Sequence, residues 1–383
     1  MLNELQIQNL RGIKNIHLTD LCQVNVFLGG NNQGKTTILE ALYLLTAPEP
    51  QKLTLLPYVF RGIGQPMIQN NQIFNNPKID FQDYWLWCFP QQDINQQPTI
   101  TARQINDART VLQCKLQLSQ TRPNQKPSTD SQLLPAESRH LHVSYWRNDS
   151  LQRYFCKQPP EQQIAFNECS INKPQTEPRN KIKNSSNVLP LQFTWLTSAA
   201  VASHEIKSER TALIVDKMIG RNPDNLAQLI QLLRIVDPRT KNLRFSSISG
   251  KPTIMVWFDG NTTEVPFTQA GQAFVRLLDI FSQLYLSNEQ IWLVDELENG
   301  IHHTALPDVW RGLASLVNNT NKQLFITTHS AECLTAAIQA FEHQRDAIAF
   351  FLLDNALPNH FSHFAHSEAL FALNNNIELR GVR

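Results

Sequence analysis

The sequence predicts an α/β fold on a parallel core sheet, with an N-terminal antiparallel β-subdomain and a helical or irregular insertion. Three observations carry that expectation. Residues 23–28, Gln-Val-Asn-Val-Phe-Leu, read as a strand and are followed by a Gly/Asn loop and then by a helical pattern over residues 37–45. Residues 291–294 read Ile-Trp-Leu-Val, all apolar, as a strand covered on both faces requires. Residues 324–326 form another apolar run, which leads through two threonines to His329.

The loop Gly29-Gly30-Asn31-Asn32-Gln33-Gly34-Lys35-Thr36-Thr37 fits G-x-x-x-x-G-K-[ST], the P-loop pattern. Glycines such as Gly29 and Gly34 let the backbone turn tightly and aim N–H groups at phosphate oxygens, with Asn31 and Asn32 completing the turn. Lys35 can reach the outer phosphates, and the Thr36 hydroxyl can ligate Mg²⁺. The helix that begins near Thr37 adds the positive end of its dipole to the anion site. Alone, this stretch says that a nucleoside triphosphate is bound.

Composition sets bounds. A chain of 383 residues with 42% hydrophobic residues can bury an ample core. A net charge of +1 supplies no global field for nucleic acid, so any DNA contact would be local. The six cysteines form no C-x-x-C pair and several lie in apolar stretches, which predicts reduced core thiols in a cytoplasmic protein. No secretory signal opens the sequence, and no apolar run approaches the ~20 residues of a membrane helix.

Taken in order, residues 2–8 alternate like a strand and residues 13–18 look like its hairpin partner across a turn that carries Arg11. Residues 51–80 read as irregular, rich in Asn, Gln and Pro. Residues 81–89 are dense in aromatics, the mark of core or a domain seam. Residues 98–107 and 108–118 read as antiparallel strands, and 141–156 as another strand pair. Residues 119–140 and 170–190 are poor in apolar residues and rich in proline, hence loops; the basic run 179–183 reads as solvated. A short strand at 193–196 and helices at 204–219 and 226–233 follow. Residues 243–249 and 253–258 are strands, with a turn at Asp259-Gly260-Asn261. His360, His363 and His366 recur every three residues; apolar alternation between them predicts a strand or turn rather than a helical metal site.

Asp295 and Glu296 close the apolar strand 291–294. Asp295 is placed to complete a Mg²⁺ shell, and Glu296 to orient or deprotonate an attacking water. His329 ends the next apolar strand, 33 residues beyond Glu296 and across a helix at 306–317, where it can contact a γ-phosphate.

This set resembles the ABC-type ATPases, in particular the RecF/SMC/OLD-like branch. Residues 29–37 match Walker A, 291–296 Walker B, His329 the switch histidine, and 298–302 the D-loop. Leu10-Arg11-Gly12 with its hairpin looks like the start of those heads, which implies a nucleotide-binding role for Arg11. Gly271, in Phe267-Thr268-Gln269-Ala270-Gly271-Gln272, resembles the signature that closes on a partner's nucleotide, although the usual serine is missing. The resemblance covers residues 1–47 and about 240–383, and implies four parts: 1–50, an N-terminal lobe with Walker A; 51–200, an insertion with β-strands; 201–240, a helical segment; and 241–383, a C-terminal lobe. It implies ATP and Mg²⁺ as cofactors, hydrolysis by Glu296 and His329, and a homodimer or higher oligomer. The ending 378–380 is similar to that of small ATPases in bacterial anti-phage modules, which control a separate nuclease or toxin. The 54 residues after His329 are too few for a Toprim nuclease domain. The alternatives are a RecF-like DNA-repair ATPase that binds duplex DNA, and a structural or assembly protein with a slow or vestigial ATPase.

Overall fold

Two kinds of sheet arise from two kinds of sequence pattern. The protein's structure, a computed structural model, describes residues 1–46, 50–61, 66–69, 72–75, 81–104, 107–121, 138–157, 167–168, 198–201, 208–221, 223–286, 290–318, 320–357, 360–375, 377 and 379. These fall into two units, one comprising residues 1, 20–39 and 197–383 and the other residues 2–19 and 40–196. The division lies within the helix Lys35–Leu45.

The first unit is built on a six-stranded sheet in the spatial order Ser198–Val201, Ile291–Val294, Gln323–Thr327, Val24–Leu28, Ile348–Leu353, Phe361–Ala365. The first five run parallel and the last is antiparallel to its neighbour. Val24–Leu28, Ile291–Val294, Gln323–Thr327 and Ile348–Leu353 are buried along their whole length, which accounts for their near-continuous apolar sequences. In register, Val294 lies opposite Ile326, and Thr327 opposite Phe27. Parallel pairing therefore brings the loops that begin at Gly29, Asp295 and Thr328 out at one edge of the sheet, the place where open α/β sheets bind ligands. Helices Ser208–Arg221, Pro223–Val236, Gln272–Leu286, Leu306–Asn318 and Ala331–Ala340 contribute to the same core, which also takes in a small antiparallel sheet of Thr240–Ile248, Lys251–Phe258 and Val265–Pro266.

The second unit holds a seven-stranded antiparallel sheet in the order Asn167–Glu168, Ser150–Lys157, Ser138–Arg147, Asp107–Thr121, Thr99–Gln104, Leu2–Leu10, Ile13–Leu18. Burial alternates along it: Leu112, Cys114 and Leu116 are buried, while the residues between them are part-exposed. One covered face and one wet face produce that pattern. The Tyr145 hydroxyl donates to the Leu44 carbonyl at 2.9 Å, fixing the end of the helix Lys35–Leu45.

Differences from the sequence reading have physical causes. Residues 51–80 are not all irregular: Pro50–Arg61 is a helix and Pro66–Gln69 pairs with Gln72–Asn75. Pro50 occupies the first helical turn, where a missing N–H costs nothing, and buried Leu53, Leu56 and Phe60 supply an apolar stripe that outweighs the interior Pro57. The aromatic cluster is core, as read: Tyr84, Trp85 and Phe89 are buried and Trp87 alone of that run's described residues is strongly exposed. The loop expected over 119–140 is strand at both ends, because Asp107–Thr121 and Ser138–Arg147 pair as far as Thr121 and Ser138; residues 122–137 and 169–197, with the rest of the expected loops, the basic run and the strand at 193–196, lie outside the described residues. The histidine segment is a strand, Phe361–Ala365, with His363 stacked on Phe351 and the buried His366 ring bonded through Nε2 to the Ile338 carbonyl. Cys88, Cys114 and Cys333 are buried free thiols, each pushed up to about 12 by burial. Among the described residues no helix is long and apolar enough to cross a membrane.

Candidate functional site

The phosphate loop is a backbone that other residues could not easily follow. Gly29 has φ +136°, and a Cβ placed there would collide with the Leu353 carbonyl oxygen. Asn32 and Gly34 also take positive φ, so the chain curls between strand and helix. The helix starts at Lys35, and Ile38 N–H donates to the Gly34 carbonyl. Lys35 is buried and curls back over the loop, its Nζ donating to the carbonyls of Gly29 and Gly30 at 2.7 Å each. Burial pulls the Lys35 ammonium below its ordinary pKa, while Glu296, Asp295 and Glu298 partly restore it. Asn31 and Asn32 are exposed at the turn, and Thr37 is buried in the first helical turn.

Thr36 and Asp295 converge from separate elements. The Thr36 hydroxyl lies 3.3 Å from Asp295 Oδ1 and 3.2 Å from Oδ2. A hydroxyl beside a carboxylate is a hard oxygen donor set of the kind Mg²⁺ selects. Lys35, the curled loop and the Thr36–Asp295 pair thus fit a Mg²⁺-bound triphosphate chemically.

Thr327, which the sequence reading did not single out, ties the carboxylates down. Its hydroxyl donates to Asp295 Oδ1 at 2.6 Å and accepts the Glu296 N–H at 2.8 Å. The signal was there: a fully buried hydroxyl at the end of an apolar strand must find partners. Glu296 itself has φ +47°, a left-handed conformation that costs a non-glycine residue about 1–3 kcal/mol. Hydrogen bonds from Asn299 N to Glu296 O and from Leu297 N to Thr327 O hold it there.

His329 stands at the same sheet edge, half exposed, with its backbone N–H donating to Glu298 Oε1 at 2.8 Å and its Nδ1 3.2 Å from the same oxygen. Gly271 is exposed, has φ +96°, and presents its carbonyl to Val275 N–H at the start of the helix Gln272–Leu286.

Arg11 belongs to the other unit, where it is committed to Glu40. Arg11 donates through Nε and Nη2 at 2.7 and 3.1 Å, and Arg61 through Nε and Nη2 at 2.9 Å each. The Tyr84 hydroxyl adds a bond at 3.1 Å, and the Arg11 guanidinium lies over the Tyr84 ring. Burial pushes the Glu40 carboxyl up, but Arg11 and Arg61 hold it below the usual carboxylate range. Burial likewise opposes the Arg11 charge, and Cys88, Glu40 and Tyr84 together raise its pKa.

Known proteins extend the picture. Residues 24–334 match the family described as "AAA domain, putative AbiEii toxin, Type IV TA system". An ATP/GTP phosphatase of Helicobacter pylori is 23% identical over 372 residues, covering 90% of each chain. An uncharacterized protein of Methanocaldococcus jannaschii is 46% identical over 50 residues, 13% of this chain and 23% of that protein. Among solved structures, an SMC head bound to the C-winged helix domain of ScpA superposes with a TM-score of 0.52 at 10% identity, covering 97% of this chain and 99% of that one. That likeness shows a shared P-loop head fold of the ABC/SMC type. The family match spans most of the 383 residues, and the chain belongs to that AAA-domain family.

Proposed function

From this family membership we propose that the chain binds ATP with Mg²⁺ and hydrolyses it, acting as a nucleotide-controlled dimer. The observation that carries the proposal is the approach of Thr36 to Asp295 beside Lys35. Lys35 and the loop amides of residues 29–37 hold the phosphates, and Thr36 and Asp295 hold Mg²⁺. Bound Mg²⁺ supplies charge neutralisation for the transferring phosphoryl group. Glu296 takes a proton from the attacking water, and His329 contacts the γ-phosphate. Gly271, exposed ahead of an apolar helix, faces the nucleotide of a second subunit, so binding favours the closed dimer and hydrolysis releases it.

The name of the Helicobacter pylori relative supports nucleotide hydrolysis, and the family's description, which names a putative toxin and a type IV toxin–antitoxin system, supports a two-component module. We read the chain as the sensor ATPase of a bacterial anti-phage module. The test is Glu296→Gln. It is expected to lower turnover by about 10²–10⁴-fold, the usual worth of a general base, while ATP binding persists and the dimer accumulates in mass measurements. Unchanged turnover would sink the assignment of Glu296, and equal rates with GTP would remove the preference for ATP.

A further inference from the structure

We infer that Gln33 is a positioning residue: its side chain ties the phosphate loop to the turn of residues 354–357 and so holds the loop in shape for Mg·ATP. The inference rests on the nucleotide-binding reading above. Gln33 fills one of the four unspecified positions of G-x-x-x-x-G-K-[ST], so phosphate geometry leaves its side chain to other work. That side chain is half-buried, and its Oε1 accepts the Asn355 N–H at 3.0 Å, across 322 positions of sequence.

The juxtaposition follows from the sheet. Val24–Leu28 and Ile348–Leu353 are parallel neighbours with Leu28 opposite Leu352, so the segments that leave them run out side by side. The later segment grips the loop twice. The Leu353 carbonyl crowds Gly29 at the start of the loop, and the Asn355 N–H holds Gln33 near its end. The turn itself is braced: Leu357 N–H donates to the Asp354 carbonyl at 3.0 Å, Ala356 N–H to Asp354 Oδ1 at 2.9 Å, and Asp354 N–H to the His360 carbonyl at 3.1 Å. Gln33 lies between Asn32 and Gly34, both at positive φ, so pinning it fixes the curl that aims the loop N–H groups. A loop ordered before its ligand arrives loses less entropy on binding.

Two measurements test this on the full-length protein. Without ligand, the Asn355 amide should exchange with deuterium about 2–10-fold faster in Gln33→Met, which keeps the side chain's length and drops the acceptor. Equal exchange in the two proteins overturns the inference. In titration calorimetry Gln33→Met should weaken Mg·ATP binding about 2–10-fold, the usual worth of one hydrogen bond. The single-turnover rate at saturating ATP should stay within about twofold, because the loop grips the phosphates alike before and during the reaction. Asn355→Pro removes the donor from the other side. Asn355 is the second residue of the turn, where proline is favoured, so this variant keeps the turn. It should match Gln33→Met, and the double variant should lose no more than either alone. Asn355→Ala, which keeps the N–H, should recover the wild-type affinity. Wild-type affinity in Asn355→Pro, or additive losses, would mean that Gln33 acts on the nucleotide directly, and would overturn the inference. Failure of the wild type to bind Mg·ATP would instead sink the nucleotide-binding reading, and amide exchange would still decide whether Gln33 holds the turn.

Discussion

Lys35 and Glu40 stand five positions apart in sequence and are treated oppositely. Glu40 is saturated: Arg11 and Arg61 each donate twice and Tyr84 once, so its two oxygens are fully occupied. Lys35 is buried among carboxylates but spends its ammonium on two carbonyls of its own loop. A saturated buried charge has nothing left to offer a ligand, and its value lies in the fold. A buried cation parked on carbonyls can be redirected to a stronger acceptor such as phosphate. The contrast separates a structural cluster from a working one without reference to motif.

The largest effect should come from removing the parked cation. Lys35→Ala is expected to weaken Mg·ATP binding by roughly 100-fold or more, since each charge-assisted hydrogen bond is worth about 1.5–3 kcal/mol. Titration calorimetry measures this; unchanged affinity would put Lys35 in the same class as Glu40. Next comes Glu40→Ala, which strands two guanidinium groups and should cost about 3–5 kcal/mol in urea unfolding. Because the native pKa of Glu40 is held low, its contribution is present above the unfolded value of about 4.3 and is lost as pH falls through the lower native value. Glu40→Gln should thus narrow its stability gap from the wild type as pH drops through that window; parallel curves would show that the cluster is not charge-dependent. The smallest effect is expected of Thr327→Val, which keeps the shape but drops both hydrogen bonds to the carboxylate turn, at about 1–3 kcal/mol. Thermal unfolding and turnover together test it: lost stability with full turnover would mean that the tether does not serve the site.

What could be read from sequence was what chemistry or pattern forces locally. The spacing from Gly29 to Thr36 is dictated by phosphate geometry, and the largely apolar strands at 24–28, 291–294 and 323–327 by a sheet covered on both faces. The approach of Thr36 to Asp295 crosses 259 positions and follows only once those strands are known to be parallel neighbours. The Glu40 cluster was invisible because its members, Arg11, Glu40, Arg61 and Tyr84, are ordinary residues with no shared period. The family resemblance at Leu10-Arg11-Gly12 implies a nucleotide role for Arg11; the turn does exist, with Arg11 at φ +54°, but the side chain goes to Glu40. In sequence Glu298 is one residue of a D-loop-like segment, and nothing local to residues 295–301 says that its oxygen accepts the His329 N–H.

The placement of Val24–Leu28 between Gln323–Thr327 and Ile348–Leu353 has a consequence for biosynthesis. This strand leaves the ribosome early, but its Asn25 side chain bonds to Leu324, 299 residues later. At about 5–20 residues per second, translation leaves it without either neighbour for about 15–60 s. The antiparallel strands from Thr99 to Lys157 pair with near neighbours and can form during that wait. The nascent chain therefore carries an orphan strand, Val-Asn-Val-Phe-Leu, with no lattice to join, and the Leu353 carbonyl that crowds Gly29 reaches the phosphate loop only after synthesis has passed it.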